Sequence, residues 1–273
     1  TPALDTRGQV KIVMAGGGTG GHLFPALALA EEFKRRDAGV EIIFAGARGG
    51  LEEKIIPARG YPLWLLDVEG LKRRTGIEKV RAIAKAARSS LAAIGMLREI
   101  RPNGVIGCGS YSSGPVVMAA RLLGIKTAIL EQNSLPGLTN KVLGKAVNRV
   151  YISFEEARGH FPGGRTILTG NPVRMDILER GADPRLKHTG AGFDGRKDKF
   201  TVLVFGGSQG AVAVNTAFLD ATEYLADLWN GLRVIHQTGI EGGDSVRASY
   251  GRKNLKAETH EFIDDMAAAY AGA

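Results

Sequence analysis

With one cysteine, Cys108, in 273 residues, the chain can form no internal disulfide, and its stability cannot depend on one. No stretch approaches 18 consecutive apolar residues, which excludes a membrane-spanning helix. The opening residues Thr1-Pro2-Ala3-Leu4-Asp5 lack the charged and apolar regions of a secretory signal, so a reducing, cytoplasmic setting is expected. There is no zinc-ligand spacing, no His-Glu-x-x-His and no Gly-x-Ser-x-Gly elbow, and no glycine-rich turn ends in Gly-Lys-Ser/Thr. Metallohydrolase, serine-hydrolase and P-loop readings therefore fall away. Acidic residues are scarce in one half only. Residues 1–170 carry 24 Lys and Arg against 14 Asp and Glu, whereas residues 171–273 carry 12 against 14. The whole net charge of +8 thus sits in the first half, which points to a polyanionic partner: nucleic acid, an anionic membrane surface or a phosphorylated substrate.

What the chain does have is glycine, placed after strands. Val10-Lys11-Ile12-Val13-Met14 is a short apolar run of the kind a buried parallel strand needs. It leads into Gly16-Gly17-Gly18-Thr19-Gly20-Gly21-His22, and Pro25 is expected to open the helix that follows. Bare N–H groups in such a turn, backed by a helix dipole, favour an anion. Further strands are expected at 40–45, 61–66, 105–107, 126–131 and 149–153, with helices at 51–58, 77–100, 115–123 and 136–146 between them. That alternation is α/β with a parallel sheet covered on both faces. Residues 181–199 lose periodicity and read as linker. Phe200-Thr201-Val202-Leu203-Val204-Phe205 then runs into Gly206-Gly207-Ser208-Gln209-Gly210-Ala211 and a helix, the opening pattern repeated. The expected organisation is a first domain at 1–170, a linker region at 171–199 and a second domain at 200–273. About three βα units follow the linker where five or six strands are usual. The second domain therefore reads as incomplete, and the chain as a fragment.

The spacing Gly16-x-Gly18-x-x-Gly21 matches a dinucleotide fingerprint in form alone. The second strand ends Ala45-Gly46-Ala47-Arg48, with no acid for a ribose, although Arg48 keeps an NADP reading open. Other candidates lie at strand ends. Gly107-Cys108-Gly109-Ser110-Tyr111-Ser112-Ser113 offers hydroxyls, with Ser112 or Ser113 equally readable as a helix cap. Glu131-Gln132-Asn133 suits hydrogen bonding to a sugar, and Arg174 suits a diphosphate. His236 and His260, in apolar strands, read as structural. The helix at 77–100 carries an apolar stripe (Ile77, Val80, Ile83, Ala84, Ala87, Leu91, Ile94, Leu97) behind the basic triplet Lys72-Arg73-Arg74. That pattern fits packing on the sheet or contact with an anionic membrane.

Six motifs in register carry a resemblance. They are Gly17-Gly18-Thr19-Gly20-Gly21-His22-x-Phe24-Pro25, Glu131-Gln132-Asn133, Gly137-Leu138-Thr139-Asn140-Lys141, Gly170-Asn171-Pro172-Val173-Arg174, Gly206 to Ala211 and Glu261-Phe262-Ile263-Asp264-Asp265-Met266. From about residue 10 onward the chain closely resembles the MurG family, bacterial UDP-N-acetylglucosamine:N-acetylmuramyl-(pentapeptide) pyrophosphoryl-undecaprenol N-acetylglucosaminyltransferases. The resemblance implies a GT-B fold, two doubly wound Rossmann-like domains facing across a cleft. It also implies an inverting transfer of GlcNAc from UDP-GlcNAc to the muramyl 4-hydroxyl of lipid I, at the cytoplasmic face of the bacterial plasma membrane. No cofactor, metal or nucleic acid is implied. On this resemblance Thr19, Gly20, Gly21, Asn133, Arg174, Ser208, Gln209 and Ile263 would bind substrate, with Tyr111 bordering the acceptor diphosphate. His22 is the first choice of base and Glu131 the second. The chain departs from the family at Leu130, often His, and at Ser110, where a glycine precedes the tyrosine. Two further readings stand beside this one: a binding module without turnover, and the NADP oxidoreductase.

Overall fold

The computed structural model describes residues 9–68, 76–182, 200–207 and 210–273, of which 76–87 and 180–182 are described by backbone only. Thr1–Pro172 form one compact unit and Val173–Ala273 another.

In the first unit β1 (Lys11–Ala15), β2 (Glu41–Ala47), β3 (Leu63–Leu66), β4 (Gly104–Gly107), β5 (Lys126–Glu131), β6 (Arg149–Ile152) and β7 (Thr166–Leu168) form one sheet. Its order is β3-β2-β1-β4-β5-β6-β7, parallel at every pairing. Successive side chains of a strand leave on opposite faces, so β1 and β2 feed two cores. Met14, Ile42 and Phe44 pack with Leu23 and Leu27 of α1 (Gly20–Arg36) and Ile56 of α2 (Glu52–Ala58). Val13, Ala15, Ile43 and Ala45 pack with Leu97 of α3 (Gly76–Ile100) and Val116 of α4 (Ser110–Leu122). Strands buried on both sides must be apolar throughout, which is why they read as continuous runs.

The order reverses between β1 and β4. In doubly wound sheets ligands bind beyond the strands' carboxyl ends at such a switch point. Here the turns after β1 and β4 lie side by side: Cys108 N–H donates to the Ala15 carbonyl at 2.7 Å, and Gly16 N–H to Ala45 at 3.0 Å. Neither helix begins where proline was expected to open it. α1 starts at Gly20 and α4 at Ser110, leaving Pro25 and Pro115 inside. Proline in the second turn only withholds an N–H from the carbonyl four residues back, and packing overrides that loss. A seventh strand, β7, and α6 (Met175–Ala182) were not expected, the latter within residues read as linker.

The second unit holds β8 (Phe200–Phe205), β9 (Leu232–Gln237) and β10 (Glu258–His260), ordered β10-β9-β8 and parallel among the described residues. Around it lie α6, α7 (Val212–Ala221), α8 (Gly243–Arg252) and α9 (Met266–Ala271), with α6 packed on α9. His236 of β9 is fully buried. Its Nε2 faces Asn215 Oδ1 at 3.1 Å and its Nδ1 faces the Tyr250 hydroxyl at 2.9 Å. Asn215 Nδ2 donates to the Thr238 carbonyl at 2.9 Å, which fixes the amide's orientation. Nε2 therefore carries the proton and Nδ1 accepts from Tyr250. Burial lowers the imidazole from its usual 6.5 to about 4. The unfolded chain thus takes up a proton below 6.5 that the folded unit refuses until about 4. Stability of this unit should be level above pH 6.5 and fall by about 3 kcal/mol as pH drops to 4. Urea unfolding followed by Trp229, whose ring lies 6.3 Å from Tyr250, in a Trp64→Phe background will read this. A pH-independent midpoint across that window would show that His236 does not titrate as its burial requires.

Candidate functional site

The glycine turn after β1 is built around a carboxylate absent from the sequence expectations. Glu52, at the start of α2, is fully buried. It accepts from Gly18 N–H at 2.7 Å and Ala47 N–H at 2.8 Å. A Cβ on Gly17 would fall onto that carboxylate, so glycine is required there for close approach. The N–H of Gly18 is therefore not offered to a ligand. The N–H groups of Gly20 and Gly21 make no hydrogen bond among the described residues, and Thr19, the exposed N-cap of α1, makes no side-chain cap bond. The N–H groups left open lie at the α1 N-terminus, Thr19 to Gly21, and not along the whole glycine run.

His22, one residue further, lies half-buried against the β4–α4 turn. A Cβ on Gly109, whose φ is +98°, would come within 2.5 Å of its Nδ1. Nδ1 meets Gln132 Oε1 at 3.2 Å, and Gln132 Nε2 donates to the Cys108 carbonyl at 2.9 Å. The Cys108 thiol itself is pushed up to about 12 by burial and is inert. Tyr111, in the first turn of α4, is 40% exposed beside this group. Ser112 and Ser113 are inside that turn with Gly109 as N-cap, so the cap reading fails; Ser113 Oγ instead donates to the Ser110 carbonyl at 2.9 Å. Ser110 has φ of +69°. That is a left-handed position which favours the glycine this chain lacks, and it costs serine about 1 kcal/mol of strain.

Glu131, the second candidate for the base, is surrounded by hydrogen-bond donors. It is 1% exposed. Its Oε1 accepts from Asn133 N–H at 3.0 Å and Asn133 Nδ2 at 2.9 Å. Its Oε2 accepts from Gly137 N–H at 3.2 Å and Asn140 Nδ2 at 2.9 Å. With four donors on two oxygens, the carboxylate ties the 132–137 loop to α5 (Leu138–Leu143) and has no lone pair directed at a substrate. The same bonds hold Asn133, whose Nδ2 is committed to Glu131.

The second unit gathers its own motifs. Gln237 Nε2 donates to the Gly207 carbonyl at 2.7 Å, and its Oε1 accepts from Ile263 N–H at 3.0 Å. One buried glutamine thus joins the glycine turn to the Glu261–Met266 motif. The Ile263 N–H is thereby used within the unit. Ser208 and Gln209 lie outside the described residues. Arg174, 8% exposed, pairs through Nε with Asp176 at 3.2 Å at the start of α6. The structure therefore groups Thr19, Gly20, Gly21, His22 and Tyr111 in one unit, and Ile263 and Arg174 in the other. Glu52 and Gln237 escaped sequence reasoning, and Gln132 was read only as part of the Glu131-Gln132-Asn133 run suited to a sugar; for Gln237 the only signal was its position at the end of a strand.

Parallel sheets with a glycine turn and an uncapped helix N-terminus at the carboxyl end of a leading strand define a Rossmann-like, nucleotide-type class in both units. The comparisons agree. Residues 12–152 match the glycosyltransferase family 28 N-terminal domain, and residues 201–273 match its C-terminal domain. The chain belongs to glycosyltransferase family 28. It is 46% identical over 264 residues to the UDP-N-acetylglucosamine--N-acetylmuramyl-(pentapeptide) pyrophosphoryl-undecaprenol N-acetylglucosamine transferase of Syntrophus aciditrophicus, covering 97% of this chain and 71% of that one. The protein of the same name from Myxococcus xanthus is 45% identical, with 97% and 67% covered. Among solved structures, Acinetobacter baumannii MurG matches with a TM-score of 0.65 at 27% identity, covering 97% of this chain and 70% of that one. A UDP-GlcNAc 2-epimerase of Neisseria meningitidis, at 12% identity and TM-score 0.60, shares the fold alone.

Glu131→Gln puts an NH2 where two N–H groups must be accepted. It should lower the stability of residues 9–172 by about 3 kcal/mol, read from the urea midpoint of tryptophan fluorescence in a Trp229→Phe background. An unchanged midpoint would mean that the carboxylate does not hold the loop.

Proposed function

We propose that the protein is an inverting glycosyltransferase that moves GlcNAc from UDP-GlcNAc to the muramyl 4-hydroxyl of undecaprenyl-pyrophosphoryl-MurNAc-pentapeptide, giving lipid II for peptidoglycan. The observation that carries this reading is 46% identity across 97% of the chain to a transferase of that name. Inversion is a single in-line displacement. The acceptor hydroxyl loses its proton, its oxygen bonds the anomeric carbon, and the bond to UDP breaks with its electron pair.

His22 is the base in this reading. It is half-buried, stands two residues from the uncapped start of α1, and its Nε2 makes no hydrogen bond among the described residues. Glu131, bound on four sides, supports the loop instead. Thr19, Gly20 and Gly21, at the α1 N-terminus, bind substrate oxygen, with Tyr111 beside the acceptor diphosphate. Asn133, Arg174, Ser208, Gln209 and the Ile263 carbonyl serve the donor, and Arg174 balances charge on the departing diphosphate. Radiolabelled GlcNAc transfer to a lipid I analogue tests the reading. UDP binding without transfer would favour the binding module, and a nicotinamide-dependent absorbance change would overturn the transferase. His22→Ala should lower turnover by about 10²–10⁴-fold while UDP-GlcNAc affinity stays unchanged; equal turnover would remove His22 from the role.

The protein works, in this reading, as a peripheral protein on the cytoplasmic face of the plasma membrane. No helix among the described residues is long and apolar enough to cross one. Leu135, Leu138 and Val142 are 73%, 61% and 57% exposed, and the last two share a face of α5 with Lys145 just beyond it. Apolar side chains beside lysine suit an anionic interface. On α3, Leu97 is buried in the core and Ile94 packs on it while Leu91 is 69% exposed. The rest of that stripe and its basic triplet lie outside the described side chains. Flotation should recover the protein with vesicles containing anionic lipid, and much less in high salt or after Leu138→Asp with Val142→Asp. Equal flotation of the double variant would place the contact elsewhere.

A further inference from the structure

We propose that Gln132 is a positioning residue: it holds His22 as the Nδ1–H tautomer and thereby reserves Nε2 as the proton acceptor. Only the catalytic consequence rests on the transferase reading; the tautomer follows from hydrogen-bond chemistry. The argument begins at the Cys108 carbonyl, which is anchored because the Cys108 N–H donates to β1 at Ala15, 2.7 Å away. A carbonyl can only accept, so the Gln132 group facing it at 2.9 Å is the amide nitrogen. That leaves the amide oxygen toward His22 at 3.2 Å. An amide oxygen can only accept as well, so Nδ1 must carry the proton. A neutral imidazole has one N–H, and Nε2 is left with its lone pair.

Three elements hold the ring in this state. α1 carries it, β5 ends in the residue before Gln132, and the β4–α4 turn presents Gly109, where a Cβ would come within 2.5 Å of Nδ1. The ionisable groups on the elements around it are accounted for. Glu52 is bound to Gly18 and Ala47, Glu131 to Asn133, Gly137 and Asn140, and Cys108 is a buried neutral thiol. Tyr111 is a phenol at the start of α4. The group bonded to Nδ1 is thus a neutral amide and not a carboxylate. It selects the tautomer without adding charge to the ring.

The test uses the 15N-histidine-labelled protein without substrate, in a long-range 1H–15N spectrum at a pH where the ring is neutral, with His22 assigned by the signal lost in His22→Gln. The expected result is an N–H-type nitrogen at Nδ1 and a lone-pair-type nitrogen at Nε2. The reverse pattern overturns the proposal whether or not the protein transfers GlcNAc, and absence of transfer leaves the tautomer result standing. Kinetics then test the consequence. Gln132→Leu should lower kcat by about 10–100-fold with KM for UDP-GlcNAc unchanged and mix the tautomers. Gln132→Glu should retain the Nδ1–H tautomer and more of kcat, and move the acid limb of the pH–rate profile up by about one unit, because a carboxylate favours the imidazolium. An unchanged kcat in Gln132→Leu overturns the proposal.

Discussion

Because β1 is hydrogen-bonded to β2 on one side and β4 on the other, the chain leaves the two central strands of the first unit in opposite directions. The helices that follow them, α1 and α4, cover opposite faces, and the two turns are left abutting at the sheet's carboxyl edge. Parallel pairing makes this unavoidable, since each return connection must cross a face. The site depends on that one constraint. It puts the Cys108 carbonyl beside the glycine turn, brings the end of β5 one strand away, and lets His22, Gly109 and Gln132 meet although they are 87 and 110 residues or so apart by number along the chain.

Buried polar groups then decide the local shape. Glu52 and Glu131 are acids of 0% and 1% exposure; Glu52 is spent on backbone N–H groups of turns and Glu131 on backbone N–H groups and two asparagine amides. An unpaired buried carboxylate would be too costly to keep, so the loops close around these acids until the oxygens are satisfied. Gln237 does the same with a neutral amide in the second unit. Such residues look catalytic in a sequence, being polar and placed at strand ends. Satisfaction of their hydrogen bonds separates them from His22, whose Nε2 has no bond among the described residues.

Much of the fold was legible. The strands at β1, β4, β5, β6 and β8 could be read because short apolar runs alternate with helical stretches and turn residues, and β5 was placed at Lys126–Glu131. The helix starts were misjudged because Pro25 and Pro115 are local signals and the packing of Leu23 and Ser112 into the core is not. β7 was missed because Thr166–Leu168 is three residues long at a sheet edge, too short to show a period. In the site, His22 and the glycine turn were legible as types of residue in a familiar spacing. For Glu131 a sequence shows the carboxylate but not the four donors around it.

The sequence by itself determined that the chain is α/β and that glycine-rich turns follow its leading strands, because periodicity and glycine spacing are properties of neighbouring residues, and its six motifs in register carried the resemblance to a family of transferases. Only the tertiary structure decided which of those N–H groups are already used, which acid has all its oxygens bonded and which nitrogen of His22 faces Gln132. Each of those answers turns on a partner distant in sequence: Glu52 for Gly18, Asn140 for Glu131, Gln132 for His22. Hydrogen bonds are directional and saturable, so the chemistry of a polar group is set by whichever group the fold places opposite it.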